Sequence, residues 1–295
     1  TLSADAGGAL DFTGGSYTTL NGTAGGNISQ SGGLTVTGTT TLTSNGINIT
    51  ADLATQLNDF GTVTLVDGTG SFGDVNISDS NALTLGGNAA DLTVLFGGDL
   101  TLSGGTYGIL FGAAGGNVLQ GAGPVIVTGS TSFAATDTDL DITLDNGSNN
   151  FSTFNLITAA GTFDTVDVVD TNALTIGGNA TQLDADAGAA LVLTGGTYTT
   201  LNGIAGGNIS QSGALTVTGT TTLTADTNAI TANLSTATND FGTVTLTSLN
   251  GGSFTSATIT DTNALNVGGD ARTLCADAGG GRVFTVGGWT TLSAT

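Results

Sequence analysis

Near-verbatim self-repetition constrains this chain more than any other feature. The stretch Gly206–Ala225, GGNISQSGALTVTGTTTLTA, already stands at Gly25–Ser44 as GGNISQSGGLTVTGTTTLTS. A worn copy, GGNVLQGAGPVIVTGSTSF, runs Gly115–Phe133. A chain that repeats itself is read first as a repeat architecture. Two anchors set the period. An Asn-Asp/Asn-Phe triplet recurs at Asn58, Asn149 and Asn239, and an Asp-x-Asn-Ala-Leu segment at Asp79, Asp170 and Asp261. Both return after about 91 residues, far more than the 20–50 of a single solenoid unit, so one period holds several coils. Copies are expected over 1–95, 96–183 and 184–274, with a partial fourth over 275–295. No Pro- or Ser-rich linker separates them, so a single continuous body over 1–295 is expected.

Within a copy the local pattern is short strands. Leu34-Thr35-Val36-Thr37, Val63-Thr64-Leu65 and Leu83-Thr84-Leu85 alternate apolar and polar residues, which places one face inward and one outward. Gly26-Asn27, Asn45-Gly46, Asp67-Gly68 and Gly87-Asn88 supply turn residues roughly 20 apart. Helix formers are scarce: Glu, Lys and Met are absent, while Thr, Val, Ile and Leu abound. The expected fold is all-β, a right-handed parallel β-helix (β-solenoid) of about 13 coils, roughly 60 Å long. Four coils of about 22–23 residues per copy are expected, with five shorter ones as the alternative. Inward Leu, Val and Ile would stack as an apolar column, and Pro124, the only proline, falls at a strand start where it is tolerated. A chain of hairpin sandwiches is the competing reading, but such domains carry aromatic cores. Aromatics are 5% here, and a narrow coil is expected not to need them.

The phrases GGNISQSGALTVTGTTTLTA and DTNALTIGGNA (Asp170–Ala180) resemble the repeats of filamentous-haemagglutinin-like adhesins and related "beta strand repeat" exoproteins of bacteria. The likeness covers nearly the whole chain. It implies a right-handed parallel β-helix, export to the cell surface or medium, and a role in adhesion, aggregation or fibre formation. The chain opens at Thr1 without Met, which points to a processed or excised form.

Composition excludes several chemistries. All 23 acids are Asp, the only bases are Arg272 and Arg282, and the net charge is −21. Such a surface repels nucleic acid and anionic membranes. No apolar run reaches the roughly 18 residues of a membrane helix. With no His, Lys or Glu and one Cys, Ser–His–Asp and Cys–His arrangements are impossible, and zinc lacks its usual ligands. A non-enzymatic role follows as the expectation. The Gly-Gly pairs sit between strands and read as turns, not phosphate loops.

Asp chemistry remains. Asp137, Asp139 and Asp141 alternate, which in a strand sets three carboxylates on one face, where calcium would relieve their repulsion. The alternative is an exposed acidic turn. A polysaccharide-cleaving β-helix enzyme would combine such Asp with Arg, but both Arg lie more than a hundred residues away. Thr39-Thr40-Thr41 invites an ice-binding reading. The triplet returns once per period, not once per coil, so no regular threonine plane is expected.

The final coil region holds Arg272, Cys275 and Arg282, where the preceding copy has Thr181, Asp184 and Leu191. An open solenoid end exposes unpaired strand edges. Head-to-tail stacking is therefore expected, with the two Arg meeting Asp5 or Asp11 of the next subunit as a homopolymer. The bland alternative has the Arg offsetting local acids and Cys275 as a small buried hydrophobe. The functional expectation is a structural subunit of an extracellular fibre or matrix. The alternative is the stalk or binding segment of an adhesin that contacts surface glycan or matrix.

Overall fold

In the computed structural model, residues 1–235, 238–285 and 287–294 are described. They form thirty β-strands and no helix. The chain divides into two compact units, Thr1–Asn150 with Ala159–Gly161, and Phe151–Thr158 with Thr162–Thr295. Each is a parallel β-solenoid.

In the first unit, one sheet is traced by the inward positions Leu2, Leu20, Thr40, Val63 and Leu85, each paired in parallel with the next. These positions advance by 18, 20, 23 and 22 residues. Three further steps reach the strand Leu140–Leu144. A second sheet runs alongside through Leu10–Phe12, Ile28–Gln30, Ile49–Leu53, Phe72–Asp79 and Ala89–Phe96. In the second unit, Leu183, Leu201, Thr221, Val244 and Val267 trace the first sheet. Its other sheet climbs in seven steps from Asn150–Thr158 to Thr291–Ala294. Seven steps in each unit make about 14 turns, close to the expected 13.

The 91-residue period holds neither four coils nor five. In the first unit Leu2 lies in the first sheet, whereas Leu92, its counterpart one copy later, pairs with Val75 and Leu110 in the second sheet. In the second unit Leu183 lies in the first sheet and its counterpart Leu274 pairs with Ala257 and Leu292 in the other. A copy therefore winds about four and a half times, and successive copies present the same phrase on opposite sheets.

Period-2 alternation fills the interior. The strand Leu34–Ser44 buries Leu34, Val36, Thr40, Leu42 and Ser44, and Leu215–Ala225 repeats that pattern position for position. Each buried Leu removes enough apolar surface to stabilise the fold by about 1.5–3 kcal/mol. Contrary to expectation, aromatics are central to the core. Phe60, Phe133, Phe151, Phe154, Phe241 and Tyr198 are among the largest fully buried side chains. Small residues make room for them: a Cβ on Gly112 would collide with the Phe133 ring. The Gly-Gly corners before the tyrosines need their glycines for backbone reasons. Gly195 and Gly196 have φ of 110° and 148°, and a side chain on Gly196 would strike the Gly178 carbonyl of the preceding coil.

Candidate functional site

The two anchors that measure the period turn out to be paired brackets between coils. Asn58 is 1% exposed. Its amide donates to Gln30 Oε1 (2.9 Å), the Leu53 carbonyl (2.7 Å) and the Ser78 carbonyl (3.1 Å). Its Oδ1 accepts from Gln30 Nε2 (2.8 Å) and the Leu34 N–H (3.0 Å). Asn239 and Gln211 make the same set in the second unit, and Asn149 pairs with Gln120 in the first. The second anchor completes the bracket. Asp79 Oδ1 accepts from the Phe60 N–H (2.6 Å), and Oδ2 from the Asn81 N–H (3.1 Å). Asp170 holds Phe151 and Asn172 in the same way, and Asp261 accepts from Phe241 (3.0 Å). A buried polar side chain survives in such a core only when its hydrogen bonds are met. Burial pushes the Asp79 and Asp170 carboxyls above the usual range, against the pull of these N–H donors. Sequence reading used the anchors only as a ruler and missed the glutamine. Its signal was there: Gln30, Gln120 and Gln211 each precede the bracket Asn by a near-constant interval.

A shallow groove recurs at one corner of each copy. In the second unit it has a volume of about 510 Å³ and is lined by Thr158, Phe163, Asn179, Ala180, Thr197 and Tyr198. The first unit has a counterpart of about 460 Å³ at Phe72, Asn88, Ala89 and Thr106. A third, of about 480 Å³, lies in the second unit at Phe254, Asp270, Ala271, Arg272 and Gly288. The polar floor is already engaged. Asn88, Asn179 and Asp270 accept from the N–H of Thr106 (3.0 Å), Thr197 (2.9 Å) and Gly288 (2.7 Å). Each groove is thus a corner whose Asx side chain caps the following coil. The buried Tyr198 hydroxyl donates to the Gly195 carbonyl at 3.3 Å, and burial raises its phenol.

The acidic trio is not arranged as a strand. Asp137 and Asp139 stand exposed in the turn before Leu140–Leu144, Asp139 with φ of 58°, and only Asp141 lies within that strand. Asp137 accepts from the Thr138 N–H (2.8 Å), and the Asp141 N–H donates to Asn117 (2.8 Å). The turn intervenes because the left-handed residue reverses the alternation. Among the described residues, no three acidic or thiol side chains gather in a geometry that holds a metal ion.

The terminal residues are also placed. Asp5 is exposed on Leu2–Ala6. Asp11 accepts from Ser29 Oγ (3.0 Å) and Ser31 Oγ (2.8 Å) of the next coil. Arg282 Nη2 donates to the Ala278 carbonyl (2.8 Å) and lies 3.7 Å from Asp277. That partner is well exposed, so the pair contributes little. Arg272 is exposed at the rim of the third groove. Cys275 is exposed, not a small buried hydrophobe, because alternation turns Leu274 and Ala276 inward and the thiol out. Among the described residues no helix is long and apolar enough to cross a membrane.

A family model described as repeats of unknown function (DUF5649) matches residues 1–67, 89–158 and 164–248. No curated protein and no solved structure matches the chain.

Proposed function

The chain belongs to the DUF5649 family of repeats, and because that family carries no assigned role we propose one from geometry: a non-enzymatic structural subunit of an extracellular fibre or matrix, joined end to end. The observation that supports this is the ladder itself: the inward Leu183, Ala185 and Ala187 have parallel strands of like sequence on both sides and are 0%, 2% and 1% exposed. A coil of a second copy stacked in the same way would bury the same inward positions. The contact rests on the backbone ladder. Asp11 and Arg282 already have partners in their own chain, which leaves Asp5, Arg272 and Cys275 as exposed contributors.

The adhesin-stalk reading has its own support. Thr273–Gly280, TLCADAGG, repeats Thr1–Gly8, TLSADAGG, as a tandem array within one long chain would. Sedimentation and electron microscopy over a concentration series separate the two. Leu2 donates its N–H to Thr19, so the N–H groups of Ser3 and Asp5 point away from that neighbouring strand. Asp5→Pro removes one of them without touching an internal bond. A fibre subunit forms filaments that Asp5→Pro shortens or abolishes. Single particles at every concentration would refute end-to-end assembly.

A further inference from the structure

We infer that the outward face of the first sheet in each unit is a rigid threonine grid that orders water and binds ice, a function independent of end-to-end assembly. The pairing register gathers threonines that the once-per-period triplet leaves scattered into short columns. In the first unit Thr39, Thr62, Thr84 and Thr101 stand in one column, each in register with the next, and Thr41 pairs with Thr64 beside them. In the second unit Thr220, Thr222 and Thr224 pair with Thr243, Thr245 and Thr247. The rows come from unlike phrases, TGTTTLT, GTVTL and LTLGG, so a search for one repeated motif passes over the grid.

The geometry is that of a two-dimensional lattice. Rows repeat at the strand spacing of about 4.8 Å, and threonines two apart along a strand repeat at about 6.7 Å. β-Branching fixes each side chain at χ1, so hydroxyl and methyl hold their places without further ordering. Neighbouring rows support one another: Thr224 and Thr247 share a hydroxyl–hydroxyl hydrogen bond of 2.7 Å. The chain carries 23 acids; none interrupts the threonine rows themselves, while Thr222 and Thr224 line one recess with Asp167, Asp184 and Asp186. The Thr222 and Thr224 columns reach Asp184 and Asp186 only two rows away, past Asn202 and Ile204. Charged groups impose their own hydration geometry, and no aromatic ring, the usual platform for sugar faces, stands in these threonine columns. An array of fixed hydroxyls and methyls with a small repeat suits a partner that is itself periodic and made of hydrogen-bonding groups.

The half-turn of each copy supplies an internal control. In the first unit the worn copy's strand Val125–Ala135 lies on the second sheet beside Leu100–Ala114, where the outward positions include Phe111, Ala113 and Ser132. In the second unit the corresponding outward positions of Asn150–Thr158 are Thr153, Asn155 and Ile157. The fold needs only β-formers at these places and accepts all of them.

The test is incorporation of the fluorescently labelled full chain into a slowly growing ice front, with thermal hysteresis measured alongside. Wild type is expected to enter the ice. A variant with Thr41→Tyr and Thr222→Tyr, one ring in each grid, is expected to fall to the level of an inert protein. Thr93→Tyr with Thr175→Tyr, outward on the other sheets, is expected to match wild type. Should the first variant melt early, Thr41→Lys with Thr222→Lys serves, since long polar chains need no packing. Exclusion of wild type from ice overturns the proposal, as does unchanged incorporation of the grid variants. Sedimentation provides the third arm: a wild-type dimer that the grid variants dissociate would show the face to be covered by a second copy and overturn it too.

Discussion

Replacing Asn239 by alanine removes five hydrogen bonds at once. The side chain is 0% exposed, so nothing in bulk water replaces them directly. Three backbone groups lose a partner, the Leu215 N–H and the Leu234 and Thr260 carbonyls, and the Gln211 amide loses its reciprocal pair. A buried polar group left unsatisfied costs about 1–3 kcal/mol, and water entering the vacated space recovers part, so a loss of about 3–5 kcal/mol is expected. Asn239→Asp keeps the volume but turns donors into acceptors facing two carbonyls, and should cost at least as much. Asn263→Asp, at an exposed position, should be near neutral. Urea unfolding followed by circular dichroism gives the global value. Because coils interact chiefly with their neighbours, hydrogen exchange should show the opening centred on Leu215 and Leu234. A loss below about 1 kcal/mol for Asn239→Ala would sink the idea that the bracket, rather than the apolar column alone, locks the coils.

Two further outcomes follow from buried groups. Burial raises the Asp79 and Asp170 carboxyls, and burial together with Asp226 raises Asp186, so the folded chain binds these protons more readily than the unfolded chain. Their contribution is full below the unfolded value of about 3.9 and is lost as pH rises through the folded values above it; the melting temperature should therefore climb as pH is lowered from neutral toward about 3.9. Relief of self-repulsion at −21 acts in the same direction, so Asp170→Asn should remove only part of the rise, and a melting temperature that falls over this range contradicts the assignment. Thr221 is fully buried with no partner for its hydroxyl, so Thr221→Val should stabilise the chain by about 1–2 kcal/mol in urea, while the outward Thr222→Val should do little.

Much of the fold was legible in the sequence. The alternation in Leu34-Thr35-Val36-Thr37 survives as buried and half-exposed positions, and the turns at Gly26-Asn27 and Asn45-Gly46 bound strands as read. What was not legible depends on how corners add up. Coils of 18 and of 23 residues differ in corner length, strand length and bulges, none of which leaves a periodic mark, so the half-integer count could not be taken from a 91-residue repeat. The threonine columns were hidden for the same reason, since their rows fall at unequal intervals along the chain. The brackets were half visible. Asn58 and Asp79 stood out as anchors, but a hydrogen bond between residues 28 apart, such as Gln30 to Asn58, leaves no local pattern. The aromatic core was misjudged because a narrow coil was assumed to be uniform, whereas glycines such as Gly112 hollow it locally.

The half-turn left over by each copy gives the repeat a parity. Insert one copy and every strand that follows it changes sheets, so a smooth patch becomes its own reverse side. Insert two and the original facing returns. Growth or loss of such an array by single copies is therefore not neutral even where every core contact is preserved, and the unit that can be added without consequence for the surface is the pair.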